Sequence, residues 1–74
     1  MYKAIVFAGT TEGYEISRFL SENKVSVLAC VATEYGSRSL EENEFLSIRA
    51  ERLDKEQMQE LFAAERPELV LDAS

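Results

Sequence analysis

Five consecutive residues near the amino terminus have the composition of a phosphate-binding loop: Gly9, Thr10, Thr11, Glu12 and Gly13. They follow an apolar run and precede a stretch with helical spacing, so Gly9 would let the backbone turn tightly and approach a ligand. The amides of Thr10, Thr11 and Glu12 would then point outward at the start of a helix, where the helix dipole favours an anion such as a pyrophosphate. The alternative is that Gly9 forms only a turn, and Gly13 only a close contact between helix and sheet.

A second set of candidate residues follows the second apolar run. Dinucleotide-binding domains usually place an acidic residue near the end of the second strand to bind the ribose diol, and Glu34 is the candidate here. Ser37 and Arg38 would instead hold a 2′-phosphate, as a hydroxyl donor and a cation. These residues are compatible with either NADH or NADPH as the cofactor, and they favour NADPH. Glu34 and Arg38 are equally well explained as solvated loop charges.

Other candidates lie after the third and fourth strands. Asp72 stands at the carboxyl end of the fourth strand, where it would contact a substrate or cofactor, or accept hydrogen bonds from loop amides. Leu53 lies where an adenine ring commonly packs, but a core leucine is the favoured interpretation. Asp54 is expected to cap a helix, and Arg49 and Arg52 are expected to be surface charges.

Four apolar runs predict the strands that position these residues, at 3–8, 25–31, 45–50 and 68–72. The third run is the least apolar, which is typical of an edge strand. Between the runs, the sequence predicts two helices, a loop at 32–37 and a short helical turn at 39–42. The order of elements predicts a Rossmann-like parallel α/β sheet with strand order 3-2-1-4, half of a doubly wound domain.

The two helices are predicted from apolar spacing and from capping residues. The first covers about residues 12–23 and would face the core with Ile16, Phe19 and Leu20, which are spaced i, i+3 and i+4. The second begins at a capping box over 54–57 and would end before Pro67. Its expected apolar face consists of Met58, Leu61 and Phe62.

Composition excludes several classes of function. The 74 residues suffice for one small domain, and the net charge of −6 gives no general attraction to nucleic acid or to an anionic membrane. The first six residues lack the long apolar core and the cleavage site expected of a signal peptide, and no apolar run approaches the roughly 20 residues needed to span a bilayer. The absence of histidine and the single cysteine argue against a metal site. Cys30 is expected to be a small buried hydrophobe, and one unpaired cysteine fits a reducing cytoplasm. No nucleophile stands beside a general base, so any redox chemistry would belong to a cofactor.

Three segments taken together resemble the precorrin-6A reductases, including the cobalt-precorrin-6A reductases. Residues 8–13 are similar to the family loop G-G-T-T-E-[GA], with Ala8 in place of the first glycine. The sequence V-A-T-E-Y-G at 31–36 is similar to the family segment V-A-T-x-Y-G. Residues 52–54 resemble its R-L-D, and 69–74 lead into the family sequence D-A-[ST]-H-P-[FY]-A.

The resemblance implies hydride transfer from NADPH to precorrin-6A, or to its cobalt form, in cobalamin biosynthesis. The family has two α/β domains with the active site between them, so residues 1–74 are expected to be the N-terminal part of the nucleotide-binding domain, without the substrate domain. Thr33 and Tyr35 join the cofactor set by this resemblance, whereas Asp72 and Ser74 join the substrate set. No catalytic residue is identified.

The expected partner is a small corrin molecule, with no nucleic acid and no membrane, in the cytoplasm. These residues alone are not expected to turn over substrate. They could expose a face that self-associates. Two alternatives stay open: a nucleotide-binding or regulatory module without catalysis, and another short-chain or epimerase-like Rossmann enzyme.

Overall fold

Four short strands form one fully parallel sheet in the order β3-β2-β1-β4. The computed structural model describes residues 2–9, 11–31, 42–50 and 53–73. For residue 73 it describes only the backbone. The elements are β1 (Ala4–Ala8), α1 (Thr11–Glu22), β2 (Val27–Val31), β3 (Leu46–Ala50), α2 (Lys55–Glu65) and β4 (Leu69–Ala73). The predicted Rossmann-like α/β fold and its strand order are therefore confirmed, as is the position of the third strand at an edge.

Helix α1 covers one face of the sheet through its smallest side chains. Gly13, Ser17 and Ser21 form its buried face, and the Ser17 hydroxyl donates to the Gly13 carbonyl at 2.8 Å. Because that hydroxyl is satisfied within the helix, it can be buried without a polar partner on the sheet. The expectation that Phe19 faces the core is wrong, since 64% of its surface is exposed.

The reason for the error lies in the orientation of α1. Ile16 and Leu20 do pack against the core, but they lie on one flank of the buried face. The centre of that face is Ser17, which allows the helix to come close to the sheet. Phe19 lies about 160° around the helix from Ser17 by the helical period, and it therefore points to solvent.

Helix α2 covers the opposite face with an apolar surface. Leu61 is buried, and Met58 and Phe62 pack beside it, which confirms the apolar face predicted for this helix. The core under α2 also contains Ile5, Leu28, Cys30 and Leu53. Cys30 is buried as expected. Within the described ranges, no helix is long and apolar enough to cross a bilayer.

Both ends of α2 show why the helix begins and ends where it does. The Gln57 amide donates to Asp54 Oδ1 at 2.8 Å, and the Asp54 amide donates to Gln57 Oε1 at 2.9 Å. This capping box confirms the predicted role of Asp54. At the other end, Arg66 adopts the left-handed conformation with φ of 45°, and its amide donates to the Phe62 carbonyl just before Pro67. The short helical turn predicted at 39–42 falls almost wholly outside the described residues.

Loss of the cap is expected to have a measurable cost. Asp54→Ala should lower the free energy of unfolding by about 1 kcal/mol, because the first turn of α2 loses its side-chain acceptor. For a domain of this size that corresponds to a decrease in Tm of roughly 4–8 °C. Thermal unfolding followed by circular dichroism would measure it, with Lys55→Ala, an exposed neighbour, as the control. Equal shifts in the two variants would contradict the capping role.

Candidate functional site

The topology of the sheet predicts a ligand-binding cleft between β1 and β4. The chain leaves β1 through α1 on one face and moves to β2, whereas it reaches β4 from β3 through α2 on the other face. The strand order therefore reverses between β1 and β4. In open parallel sheets, ligands bind outside the carboxyl ends of the strands at such a reversal. The candidate site consequently lies beyond Ala8 and the end of β4.

The loop between β1 and α1 is very short. Only residues 9 and 10 separate Ala8 from Thr11, and Gly9, Thr11 and Glu12 are exposed. The first amides of a helix have no partner within the helix, so these exposed residues offer donors to an anion. The tight turn is present, but no described glycine has a positive φ. At Gly9, therefore, what glycine offers is the absence of a side chain beside an exposed backbone.

Gly13 differs from the rest of the loop because it is buried beneath α1. The interpretation of Gly13 as a close contact between helix and sheet is confirmed. A small residue at this point lets the first turn of α1 lie close to the end of β1, which positions the exposed amides. Its assignment to the cofactor site stays a prediction.

Asp72 lies at the same edge as the loop. The parallel register pairs it with Phe7 and pairs residue 73 with Ala8, so Asp72 lies two residues before Gly9 in the frame of the sheet. Its side chain is exposed. By alternation along the strands, Asp72 and Phe7 are on the face that α2 covers. This position suits either of the roles predicted for Asp72.

Phe7 is an aromatic neighbour of Asp72 that sequence reasoning did not include. It is half-buried, and its ring meets that of Phe62 edge to face, with centroids 6.1 Å apart and planes at 77°. Such a pair holds both rings in fixed orientations. Alternation in β1 combined with the order 3-2-1-4 could have placed Phe7 beside Asp72 from the sequence.

At the β1–β4 side of the carboxyl edge, any attraction for an anion must come from the backbone and not from charged side chains. Glu12 and Asp72 are exposed carboxylates, so they would repel a phosphate. The α1 dipole and its free amides supply the opposite sign, and Glu12 itself gains from its place in the first helical turn. Among the described residues, no three acidic or cysteine side chains are grouped so that they could hold a metal ion.

The structure shows the positions of two further candidate residues, Leu53 and Arg49. Leu53 is buried in the core under α2, which confirms the core interpretation and leaves little exposed surface for an adenine ring. Arg49 was expected at the surface, and it is half-buried on β3. Arg52 lies outside the described residues.

Several site predictions lie outside the described residues and stay predictions. They are Thr10, Thr33, Glu34, Tyr35, Ser37, Arg38 and Ser74. The structure does define where the chain enters the 33–38 segment. Strand β2 ends at Val31 and lies beside β1, with Cys30 in register with Phe7. The segment therefore follows from the same edge of the sheet as the β1–α1 loop.

The sheet, its crossovers and the loop at its reversal point define a Rossmann-like α/β protein. A family model described as "Precorrin-6x reductase CbiJ/CobK" matches residues 3–74, so the chain belongs to that family. Its members are reductases of cobalamin biosynthesis, and the resemblance inferred from the three segments is confirmed. Comparison with curated proteins and with solved structures gave no significant match.

Proposed function

We propose that this chain supplies the cofactor-binding part of an NADPH-dependent reductase that acts on precorrin-6A or on its cobalt form. The observation that carries the proposal is the exposed start of α1. Gly9, Thr11 and Glu12 stand at the carboxyl edge of the sheet, at the reversal between β1 and β4. This is the position where a parallel sheet binds a dinucleotide, and the family is one of reductases.

When bound, the nicotinamide supplies the hydride that reduces the corrin macrocycle. The residues of this chain bind and orient. Backbone amides at Thr11 and Glu12 hold the pyrophosphate, and Gly9 leaves room for its approach. In the segment that follows β2, Ser37 and Arg38 hold the 2′-phosphate of NADPH, and Glu34 would serve the ribose diol if the cofactor were NADH.

The side of the site near β4 is proposed to contact the substrate. Asp72 accepts hydrogen bonds there, and Ser74 adds a hydroxyl. The Phe7 ring, fixed by Phe62, gives this side of the edge an apolar surface next to the Asp72 carboxylate. The rest of the substrate site belongs to a second α/β domain, as the family resemblance implies.

Cofactor binding can be tested on the chain itself. NADPH and NADH are titrated into ¹⁵N-labelled protein, and we expect the largest shift changes at the amides of Gly9, Thr11 and Glu12. Gly9→Val should weaken NADPH binding at least about tenfold, because its side chain occupies the approach to the exposed backbone. Glu22→Val, at the far end of α1, is the control. Absence of shifts at these amides with both nucleotides would count against binding by this chain.

The reduction needs a separate assay. A nucleotide-binding module without catalysis would share the same site, so binding alone does not distinguish it from a reductase. Consumption of NADPH with precorrin-6A present separates them. We expect no turnover by these 74 residues alone, and turnover when they are joined to the second domain. Binding without turnover by the joined protein would favour the module.

A further inference from the structure

Arg49 is a half-buried cation near the carboxyl end of the edge strand β3. It precedes Ala50, the last residue of the strand, so it lies roughly 3.3 Å short of the edge where the strands end. The parallel register pairs Arg49 with Cys30 of β2, and Cys30 in turn with Phe7 of β1. The carboxyl edge therefore has an arginine on the β3 side of the β1–α1 loop.

The neighbours of Arg49 in the sheet are uncharged. Leu46 and Ile48 face the core under α1, so by alternation Ser47 and Arg49 face the side that α2 covers. The register partner Cys30 is buried in the apolar core on that side. Arg49 also interacts within the protein, but a guanidinium carries five N–H donors, so it can bind a phosphate in addition.

Most of the other described cations lie far from this edge. Lys3, Lys24 and Arg66 each stand before a strand, at the amino edge of the sheet. Lys55, the first residue of α2, follows β3 but is exposed. Because half-burial restrains the Arg49 side chain, it loses less conformational entropy than Lys55 on binding an anion. Arg49 is therefore the described cation best suited to a phosphate beyond β2 and β3.

We propose that Arg49 binds the 2′-phosphate of NADPH from the β3 side of the sheet and so favours NADPH over NADH, an assignment that rests on the proposed function. A dinucleotide with its pyrophosphate at the start of α1 extends its adenosine along the strand ends toward β2, and β3 is the next strand on that side. An arginine near the adenosine ribose accommodates a 2′-phosphate in such domains, because its planar fork bonds two phosphate oxygens at once.

Calorimetric titration of the 74-residue chain with each nucleotide tests the assignment, and circular dichroism checks the fold of each variant. The unchanged chain should bind NADPH more tightly than NADH. Arg49→Met keeps an unbranched apolar stem without the charge. It should weaken NADPH binding at least about tenfold and change NADH binding less than about twofold. Arg49→Lys keeps the charge but loses the fork, so it should weaken NADPH binding about threefold.

Lys55→Met is the matched control, because it removes one positive charge near the same strand ends from an exposed side chain. It should change the affinity for either nucleotide less than about twofold. Equal losses of NADPH affinity in Arg49→Met and Lys55→Met would indicate a general effect of charge and overturn the assignment. Equal loss of NADPH and NADH affinity in Arg49→Met would also overturn it, since the effect would not depend on the 2′-phosphate.

The role of Arg49 and the cofactor site fail in different ways. If the unchanged chain prefers NADPH and Arg49→Met keeps that preference, the cofactor site stands and the role of Arg49 does not. If the unchanged chain binds neither nucleotide, the cofactor site of this chain is overturned, and the role of Arg49 with it. If Arg49→Met does not fold, Arg49→Lys decides, because an unchanged ratio of the two affinities in that variant overturns the assignment.

Discussion

Gly13→Val is expected to lower the free energy of unfolding by about 2 kcal/mol. Gly13 is buried where the first turn of α1 lies against the sheet, so a valine side chain would have to push the helix outward. A chain of 74 residues has a total stability of roughly 4–11 kcal/mol, and the loss would be a large part of it. Urea unfolding followed by circular dichroism would measure the change in midpoint.

The control for this variant lies two residues further along the helix. Glu15→Val introduces the same side chain at an exposed position and should cost no more than about 0.5 kcal/mol. If the two variants unfold at the same urea concentration, α1 does not rely on a small residue at position 13. The same substitution also tests the site. An α1 displaced at its first turn should present the amides of Thr11 and Glu12 less well and weaken NADPH binding.

The fold could be predicted from the sequence because local and global signals agree. Each strand is a short apolar run, and alternation of strands with helices restricts the sheet to a few topologies with right-handed crossovers. Asp54 and Gln57 marked the start of α2 three residues apart, and both hydrogen bonds of the capping box are present. The weaker apolar character of the third run identified the edge strand, because Ser47 and Arg49 need not be covered.

The orientation of α1 could not be predicted in the same way. Apolar spacing located Ile16 and Leu20, but it also selected Phe19, because periodicity counts hydrophobicity and does not measure how close a helix lies to a sheet. In this protein the buried face of α1 is formed by Gly13, Ser17 and Ser21, which are not scored as apolar. The Ser17 hydroxyl could be buried only because Gly13 accepts its hydrogen bond, and that pairing is a property of the folded helix.

The candidate site was predicted unevenly for a physical reason. The β1–α1 loop is local, so its residues could be read from a five-residue pattern. Asp72 and Phe7 are 65 positions apart, and only the strand order brings them into register. Phe7 was missed because its relation to Asp72 exists in the sheet and not along the chain. For Thr33 and Tyr35 the only signal was the family pattern.

Ile5→Ala is expected to cost about 3 kcal/mol of unfolding free energy. Ile5 has no exposed surface and lies at the centre of the core between the sheet and α2. The substitution removes three carbons from the buried cluster that also contains Leu28 and Leu61. Both the lost burial and the remaining cavity therefore destabilise the fold. Equilibrium unfolding in urea, with chain at low micromolar concentration, gives the difference.

Val70→Ala provides the matched control, because Val70 is the register partner of Ile5 on the adjacent strand and the same face. Val70 is 44% exposed, so removing two carbons there should cost less than about 1 kcal/mol. The comparison is made per carbon removed, which corrects for the different side-chain sizes. If the core ends between β1 and β4, the loss of unfolding free energy per carbon removed should be at least about twice as large at Ile5 as at Val70. Equal costs per carbon would mean that Val70 is as well packed as Ile5, and that the β4 edge is covered in solution.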